Sequence, residues 1–302
     1  MTNKNRSLLV LALILVAALA LSACAPKAPA LGTADNPIII SFVPSADAAT
    51  VLASASAITD VLSQKTGLTI EAKVPTSYVG AIEAMCSGEA HGGALNTFSY
   101  VVASQRNCAK VALASVRFGS TTYAGQIIAR ADSGITSIAD LAGHSFCRPD
   151  EFSTSGWIIP SITMKANGVD PATDLTEVID AGGHPGVVRA VYNGDCDAGA
   201  TFIDARTNVA EELPDVMDKV VVIATTGDIP NDSIAFIPSL PQDTVDKITN
   251  AFLEMTTEDA NMQMLKDLYS WDGLEKVDDS FYDPFRQTLQ AAGVDVNQFI
   301  SQ

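Results

Sequence analysis

The run Asp150-Glu-Phe-Ser153-Thr154-Ser155-Gly156 carries the clearest chemical signal in the chain. Three consecutive small hydroxyl residues followed by glycine make a turn whose backbone N–H groups can converge on one point, and the hydroxyls add further donors. The run lies between an expected strand, Ser145 to Arg148, and an expected helix from about Ser155 to Asn167 capped by Gly168. A helix N-terminus contributes partial positive charge. Together these features suit a tetrahedral oxyanion held without a formal cation. A plain Ser/Thr N-cap is the competing reading. Pro160 falls in the early helix, where a missing N–H is tolerated.

A second signal is an internal echo. Ala84-Met-Cys-Ser-Gly88-Glu89-Ala-His-Gly-Gly93-Ala94 and Ala190-Val-Tyr-Asn-Gly194-Asp195-Cys-Asp-Ala-Gly199-Ala200 match at an offset of 106 residues. Each copy reads as a helix end, a glycine cap and a strand with glycine near its carboxyl end. The same offset pairs Tyr78 with His184, each at the start of its helix. Two lobes built alike would aim both side chains into one cleft.

The elements that must position these residues follow an alternating pattern. Apolar or alternating runs at Ile38 to Val43, Thr69 to Val74, Ala90 to Leu95 and Val111 to Val116 read as strands. Helices are expected over Val51 to Leu62, stopped by Gly67, and over Val79 to Met85. Ser137-Ile-Ala-Asp140 reads as a capping box. After Ile234 to Ile237 the chain reads as mostly helical, over Asp243 to Met255, Glu258 to Leu268 and Phe281 to Ala292. The pattern predicts an α/β fold with mainly parallel sheets.

The amino-terminal residues point to export. Lys4 and Arg6 precede an apolar run from Leu8 to Ala20, long enough for a signal core but short for a membrane span. Leu21-Ser22-Ala23-Cys24 resembles a bacterial lipobox, which implies cleavage before Cys24 and a lipid on its sulfur. An ordinary signal peptide is the alternative. Residues 1–23 thus read as a lipoprotein signal peptide, and residues 24–36, rich in Ala and Pro, as a lipid-anchored tether. Loss of Lys4 and Arg6 takes the formal net charge from −17 to −19. Such a surface repels nucleic acid, yet a buried site can still bind an anion through local dipoles. No second apolar run reaches membrane-spanning length. Four cysteines remain beyond Cys24, an even count that suggests two disulfides in an exported chain. No CxxC pair supports a zinc site.

Read together, Ser153-Thr-Ser-Gly, Pro160, Gly182-Gly-His184 and Asp197-Ala-Gly-Ala-Thr-Phe-Ile-Asp204 resemble the phosphate/phosphite/phosphonate-binding proteins of ABC importers. Phe42-Val-Pro-Ser45, Val74-Pro-Thr-Ser-Tyr78, the stretch from Tyr123 to Gly134 and Leu141-Ala-Gly143 extend the resemblance over nearly the whole chain from about Pro37. Asn96-Thr-Phe98 departs from the apolar-Gly-Pro-like stretch often found there in the family. The resemblance implies a type II periplasmic-binding-protein fold, with two α/β lobes, a two-strand hinge and a ligand cleft between them. Lobe 1 is expected over residues 37–125 plus 234–302, and lobe 2 over 126–233.

The resemblance also implies roles. Ser153, Thr154 and Ser155 would hold the phosphorus-bound oxygens. Tyr78, Tyr123 and His184 would donate side-chain hydrogen bonds. Asp204 and Asp232 would line the far side, with Asn96 and Thr97 as further candidates. Taken alone, Tyr78 and Tyr123 could be packing residues, His184 and Asp204 helix caps, and Asp232 a turn residue. His91, His144 and Trp157 are assigned to structure. With no Arg or Lys in these motifs, the site is expected to read its ligand through neutral donors. Within the two-lobe fold the expected disulfides are Cys86–Cys108 and Cys147–Cys196, because a bridge across the lobes would resist hinge closure.

Three functions compete: a solute-binding protein serving an ABC permease and ATPase, a sensor delivering ligand occupancy to a membrane receptor, and an enzyme using Ser153, His184 and Asp204 as a triad. The chain lacks a Gly-x-Ser-x-Gly elbow and any carboxylate cluster of metal-ligand spacing. A monomeric binding protein without cofactor or metal is expected, taking phosphite, a phosphonate, phosphate or another small oxyanion.

Overall fold

A computed structural model describes residues 29–299. The signal core, the Cys24 lipobox and the first part of the tether lie outside the described residues. Two sheets organise the rest. The first has six strands in the order β11-β4-β10-β3-β1-β2, with β1 Ile38–Phe42, β2 Ile70–Lys73, β3 Gly92–Leu95, β4 Lys110–Val116, β10 Ser233–Phe236 and β11 Gly273–Lys276. The second has five, in the order β7-β6-β8-β5-β9, with β5 Thr122–Arg130, β6 Ser145–Arg148, β7 Glu177–Asp180, β8 Ala198–Phe202 and β9 Val220–Pro230.

The sheets are mixed, which corrects the expectation of mainly parallel strands. Strand β1 pairs parallel with β2 and β3, and β6 pairs parallel with β7 and β8. Strand β10 runs against β3 and β4, and β5 runs against β8 and β9. Thus β2-β1-β3-β10-β4 and β7-β6-β8-β5-β9 are the same five-strand pattern used twice. Strand β11, which pairs with β4, lies in the carboxyl-terminal region that reads as helical from sequence.

The echo of 106 residues is a structural repeat. Helix α2 (Tyr78–Cys86) and helix α5 (His184–Asn193) start at the paired residues Tyr78 and His184. Gly93 sits opposite Ser41 of β1, and Gly199 opposite Cys147 of β6. A Cβ on Gly93 would come within 2.6 Å of Met85 Sδ in α2, and one on Gly199 within 2.6 Å of Val187 Cγ1 in α5. In both lobes a glycine therefore lets the preceding helix lie directly on the sheet.

Helix α1 (Ala48–Thr66) starts where the Asp47 carboxylate accepts the Ala49 and Thr50 N–H groups, and stops at Gly67 in the left-handed conformation. Helix α3 (Thr97–Gln105) follows β3, and helix α4 (Ile159–Ala166) follows β6. Helices α6 (Val216–Lys219), α7 (Gln242–Met255), α8 (Asp259–Tyr269) and α9 (Asp283–Ala291) complete the α-helices among the described residues. Ile38, Ile40 and Phe42 of β1 pack with Ala55, Ile58 and Leu62 of α1 in the core of the first sheet, while Phe146 and Ile127 centre a core on the second.

The chain crosses between the sheets twice. One crossing lies between Val116 and Thr122, a few residues ahead of the expected division at 125/126; the other is Asn231-Asp232. They run side by side: Asn231 N–H donates to Thr121 O and its side-chain amide to Ser120 O, both at 2.8 Å, while Ser115 N–H donates to Asp232 O at 2.8 Å. Disulfides join Cys86 to Cys108, within the first lobe, and Cys147 to Cys196, within the second.

Candidate ligand cleft

The cleft forms where parallel strands of both sheets end. Val43 and Ser45 follow β1, Tyr78 follows β2 and Asn96 follows β3; Ser153–Ser155 follow β6, His184 follows β7 and Phe202 ends β8. Carboxyl ends of parallel strands are where open α/β sheets place ligands, because the following helices present their N-termini there. The cavity measures about 440 Å³.

The Ser-Thr-Ser turn has a specific local cause. Residues Thr154–Ile158 form a π-helical turn that runs into α4. Ser153 O accepts both Trp157 N–H and Ile158 N–H, at 2.9 and 3.0 Å, and Ser153 Oγ accepts Gly156 N–H at 3.2 Å. The first N–H groups of a helix have no acceptor within it, and here they belong to Thr154 and Ser155. Gly156 has no room for a side chain, since a Cβ would collide with the Pro149 ring.

The lobes meet around this turn. Thr154 Oγ1 accepts from Asn96 Nδ2 at 2.8 Å and from Phe98 N–H at 2.9 Å. Tyr78 N–H donates to the Asp150 carboxylate at 3.2 Å, and His184 N–H donates to Ser45 O at 2.9 Å. Each bond joins one sheet's elements to the other's, so the arrangement is closed. Asn96 Oδ1 is buried and has no partner among the described residues.

Burial sets the protonation states. It pushes the Tyr78 hydroxyl well above its usual range, with Asp150 adding to the effect, and it pushes Tyr123 up with Asp232 adding and Arg117 opposing. Both hydroxyls therefore remain donors at neutral pH. Burial, aided by the Arg117 charge, depresses the His184 imidazole to about 3. The ring is neutral, and its Nδ1 accepts Phe202 N–H at 3.3 Å. Its single proton is thereby assigned to Nε2.

Of the ten residues singled out from sequence, Tyr78, Asn96, Tyr123, Ser153, Thr154, Ser155, His184 and Asp232 line this one cavity. Thr97 and Asp204 are not part of the lining. The Thr97 hydroxyl is buried and donates to Pro230 O at 2.6 Å. Asp204 is exposed, at a left-handed turn (φ 63°) after β8. Ser153, His184 and Asp204 are therefore not assembled as a triad.

Arg117 was not legible as a site residue. It is 7% exposed, lines the cavity, pairs with Asp232, and stacks over the Tyr123 and Phe202 rings at 5.1 and 5.7 Å from their centroids. Its presence corrects the expectation of a cleft without a cation. The correction is partial in charge, because each cation lining the cavity has a carboxylate partner: Arg117 with Asp232, Arg189 with Glu212 and Lys266 with Asp272. Tyr269 also lines the cleft and donates to Val43 O at 2.6 Å. Neither residue belongs to a run with a chemical pattern; the one available signal was the position of Arg117 in the turn ahead of Tyr123.

A sequence profile of the periplasmic substrate-binding proteins of phosphonate ABC transporters matches residues 40–282. The chain belongs to this family. It is 26% identical over 280 residues to the phosphate-import protein PhnD of Mycolicibacterium smegmatis, covering 85% of this chain and 86% of the relative. It is 26% identical over 197 residues to the phosphonates-binding periplasmic protein of Escherichia coli, covering 64% and 58%. A binding-protein component of an ABC phosphonate transporter from Pseudomonas aeruginosa superimposes with a TM-score of 0.78 at 21% identity, covering 85% and 86%. PhnD1 of Prochlorococcus marinus, solved with methylphosphonate, superimposes with a TM-score of 0.76 at 15% identity, covering 85% and 98%. The fold is thus the two-lobed periplasmic-binding-protein fold. The family captures ligands for ABC importers and is not enzymatic, which removes the hydrolase reading. No helix among the described residues is long and apolar enough to cross a membrane.

Proposed function

We propose that the cleft captures a small phosphorus oxyanion (phosphite, a phosphonate or phosphate) and that the closed lobes deliver it to an ABC permease and its ATPase. The observation that carries this reading is the convergence of helix starts at one cavity: Tyr78 opens α2, Asn96 caps α3, Ser153 caps the turn into α4, and His184 opens α5. Their dipoles favour an anion. The side chains at these starts are neutral donors, so they need no counter-ion when the cleft is empty. In this reading Ser153, Thr154 and Ser155 hold the phosphorus-bound oxygens, Tyr78, Tyr123 and His184 Nε2 donate to them, and Asn96 and Asp232 flank the remaining substituent. Thr97 holds Pro230 O, next to the second crossing, and Asp204 takes no direct part. Calorimetric titration with these ligands tests the set; Ser155→Ala is expected to weaken binding by about 1.5–3 kcal/mol, as for a hydrogen bond to a charged group.

We extend the proposal to the anchor. Export with lipidation at Cys24 rests on the Leu21-Ser22-Ala23-Cys24 pattern behind an apolar core. It places a monomer on the outer face of the cytoplasmic membrane, tethered by residues 24–36. Cys24→Ser should release the protein from the membrane fraction; retention of the variant on membranes contradicts the anchor. The division into lobe 1 (37–125 plus 234–302) and lobe 2 (126–233), with the first crossing shifted toward residues 117–121, is supported by sheet membership.

A further inference from the structure

The carboxyl-terminal segment reaches from one lobe to the other. Helix α9 packs Phe285 and Leu289 into the core of the first sheet. Beyond Gly293 the chain runs on to a short helical turn, Val296–Phe299, which is tied to the end of α3: Gln105 Nε2 donates to Asn297 Oδ1 at 2.8 Å. The Phe299 ring meets two others edge to face. Its centroid lies 5.0 Å from that of Phe98, at 88°, and 5.4 Å from that of Phe152, at 79°. Phe98 belongs to α3 of the first lobe, and Phe152 to the loop after β6 in the second, directly ahead of Ser153. Phe98 and Phe152 are fully buried, with their own centroids 5.7 Å apart. Phe299 thus completes an aromatic cluster that crosses the lobe boundary.

The cluster lies beside the groups that build the cleft. Phe98 N–H donates to Thr154 Oγ1 at 2.9 Å, and Phe152 O accepts from Asn96 Nδ2 at 2.8 Å. Asn96 and Thr154 line the ligand cavity, and Phe299 does not. A contact favours closure only if closing the lobes makes it. The Phe98–Phe299 contact joins two parts of one lobe and persists when the lobes part. The Phe152–Phe299 contact crosses the boundary and is lost on opening, together with the Asn96–Thr154 bond beside it. One such ring pair shifts the ratio of closed to open form by about two- to tenfold. A ligand that binds the closed form gains apparent affinity in proportion to the closed fraction.

We propose that Phe299 is a positioning residue for the cleft: from behind the Ser153-Thr154-Ser155 turn it favours the closed arrangement of the empty protein. It therefore raises the affinity for every ligand by one factor and leaves the choice among ligands to the cleft walls. The affinity effect rests on the oxyanion reading of the same cleft; the effect on closure does not.

Amide hydrogen exchange on the ligand-free protein reads closure without any ligand. The Phe98 and His184 N–H groups, at the starts of α3 and α5, donate across the boundary to Thr154 Oγ1 and Ser45 O, so their protection tracks the closed form. Phe299→Ala is expected to lower the protection of both by about two- to tenfold. Phe299→Leu keeps the apolar bulk, and with it the packing of the fold, and should fall between wild type and Phe299→Ala. A merely structural role would lower the melting temperature and leave this protection unchanged. On titration with phosphate, phosphite and methylphosphonate, each variant should weaken every ligand that the wild type binds by one common factor. Absence of protection at the two amides in the wild type, equal protection in the wild type and the folded variants, or a loss of affinity that differs between ligands overturns the role of Phe299. Failure of the wild type to bind any of the three overturns oxyanion capture, and the exchange measurement then decides the role of Phe299 by itself.

Discussion

At the scale of single residues, His184 shows how burial fixes a chemical role. The depressed pKa means that the unfolded chain, with an ordinary value of 6.5, takes up the proton before the folded one does. His184 therefore contributes stability that is present above pH 6.5 and is lost as pH falls toward 3. Thermal melts across that window should show the wild type losing more stability than His184→Gln; parallel curves would show that the ring is not held neutral. His184→Ala should weaken oxyanion binding by about 1.5–3 kcal/mol, because it removes a donor to a charged acceptor. An unchanged affinity on titration would return His184 to a purely structural role. Sequence pattern located this residue because its type and its place after Gly182-Gly183 are both informative. It missed Arg117, whose significance lies in meeting Asp232, a residue 115 positions away. Asp204, by contrast, is exposed at a left-handed turn after β8 and lies outside the cavity lining.

At the scale of elements, closure depends on close backbone approach between the start of α5 and the loop after β1. Gly183, at φ 120°, sits so near that a Cβ would lie 2.9 Å from both Ala46 Cα and Ser45 O. Gly183→Ala should therefore hold the lobes apart. We expect the liganded variant to have a larger radius of gyration than the liganded wild type in small-angle scattering, and binding to weaken by about 1–3 kcal/mol, the usual cost of overpacking; identical scattering would contradict the contact. The helix and strand positions near the cleft were legible because caps and glycines punctuate them: Gly67, Gly88 and Gly194 each adopt a left-handed conformation just beyond a helix. Strand direction was not legible. The apolar run of β10 reads the same whether it pairs parallel or antiparallel, and its partners β3 and β4 are distant in sequence.

At the scale of the whole molecule, two copies of one five-strand pattern are joined by two adjacent crossings, and each disulfide lies on one side of them. Reduction should lower the melting temperature, since bridges of this kind contribute about 2–4 kcal/mol each. Ligand affinity at 25 °C should persist, because neither bridge spans the hinge; loss of binding on reduction, without loss of fold, would show that a bridge shapes the cleft. The 106-residue echo made this duplication readable in advance, since both copies need glycine at the same places for the same packing reason. Titration of the ligand-free protein with phosphite, methylphosphonate and phosphate tests anion capture between the two halves most directly. Saturable binding of at least one of them, with one site per chain, is the predicted result. No measurable binding of any of the three would contradict it.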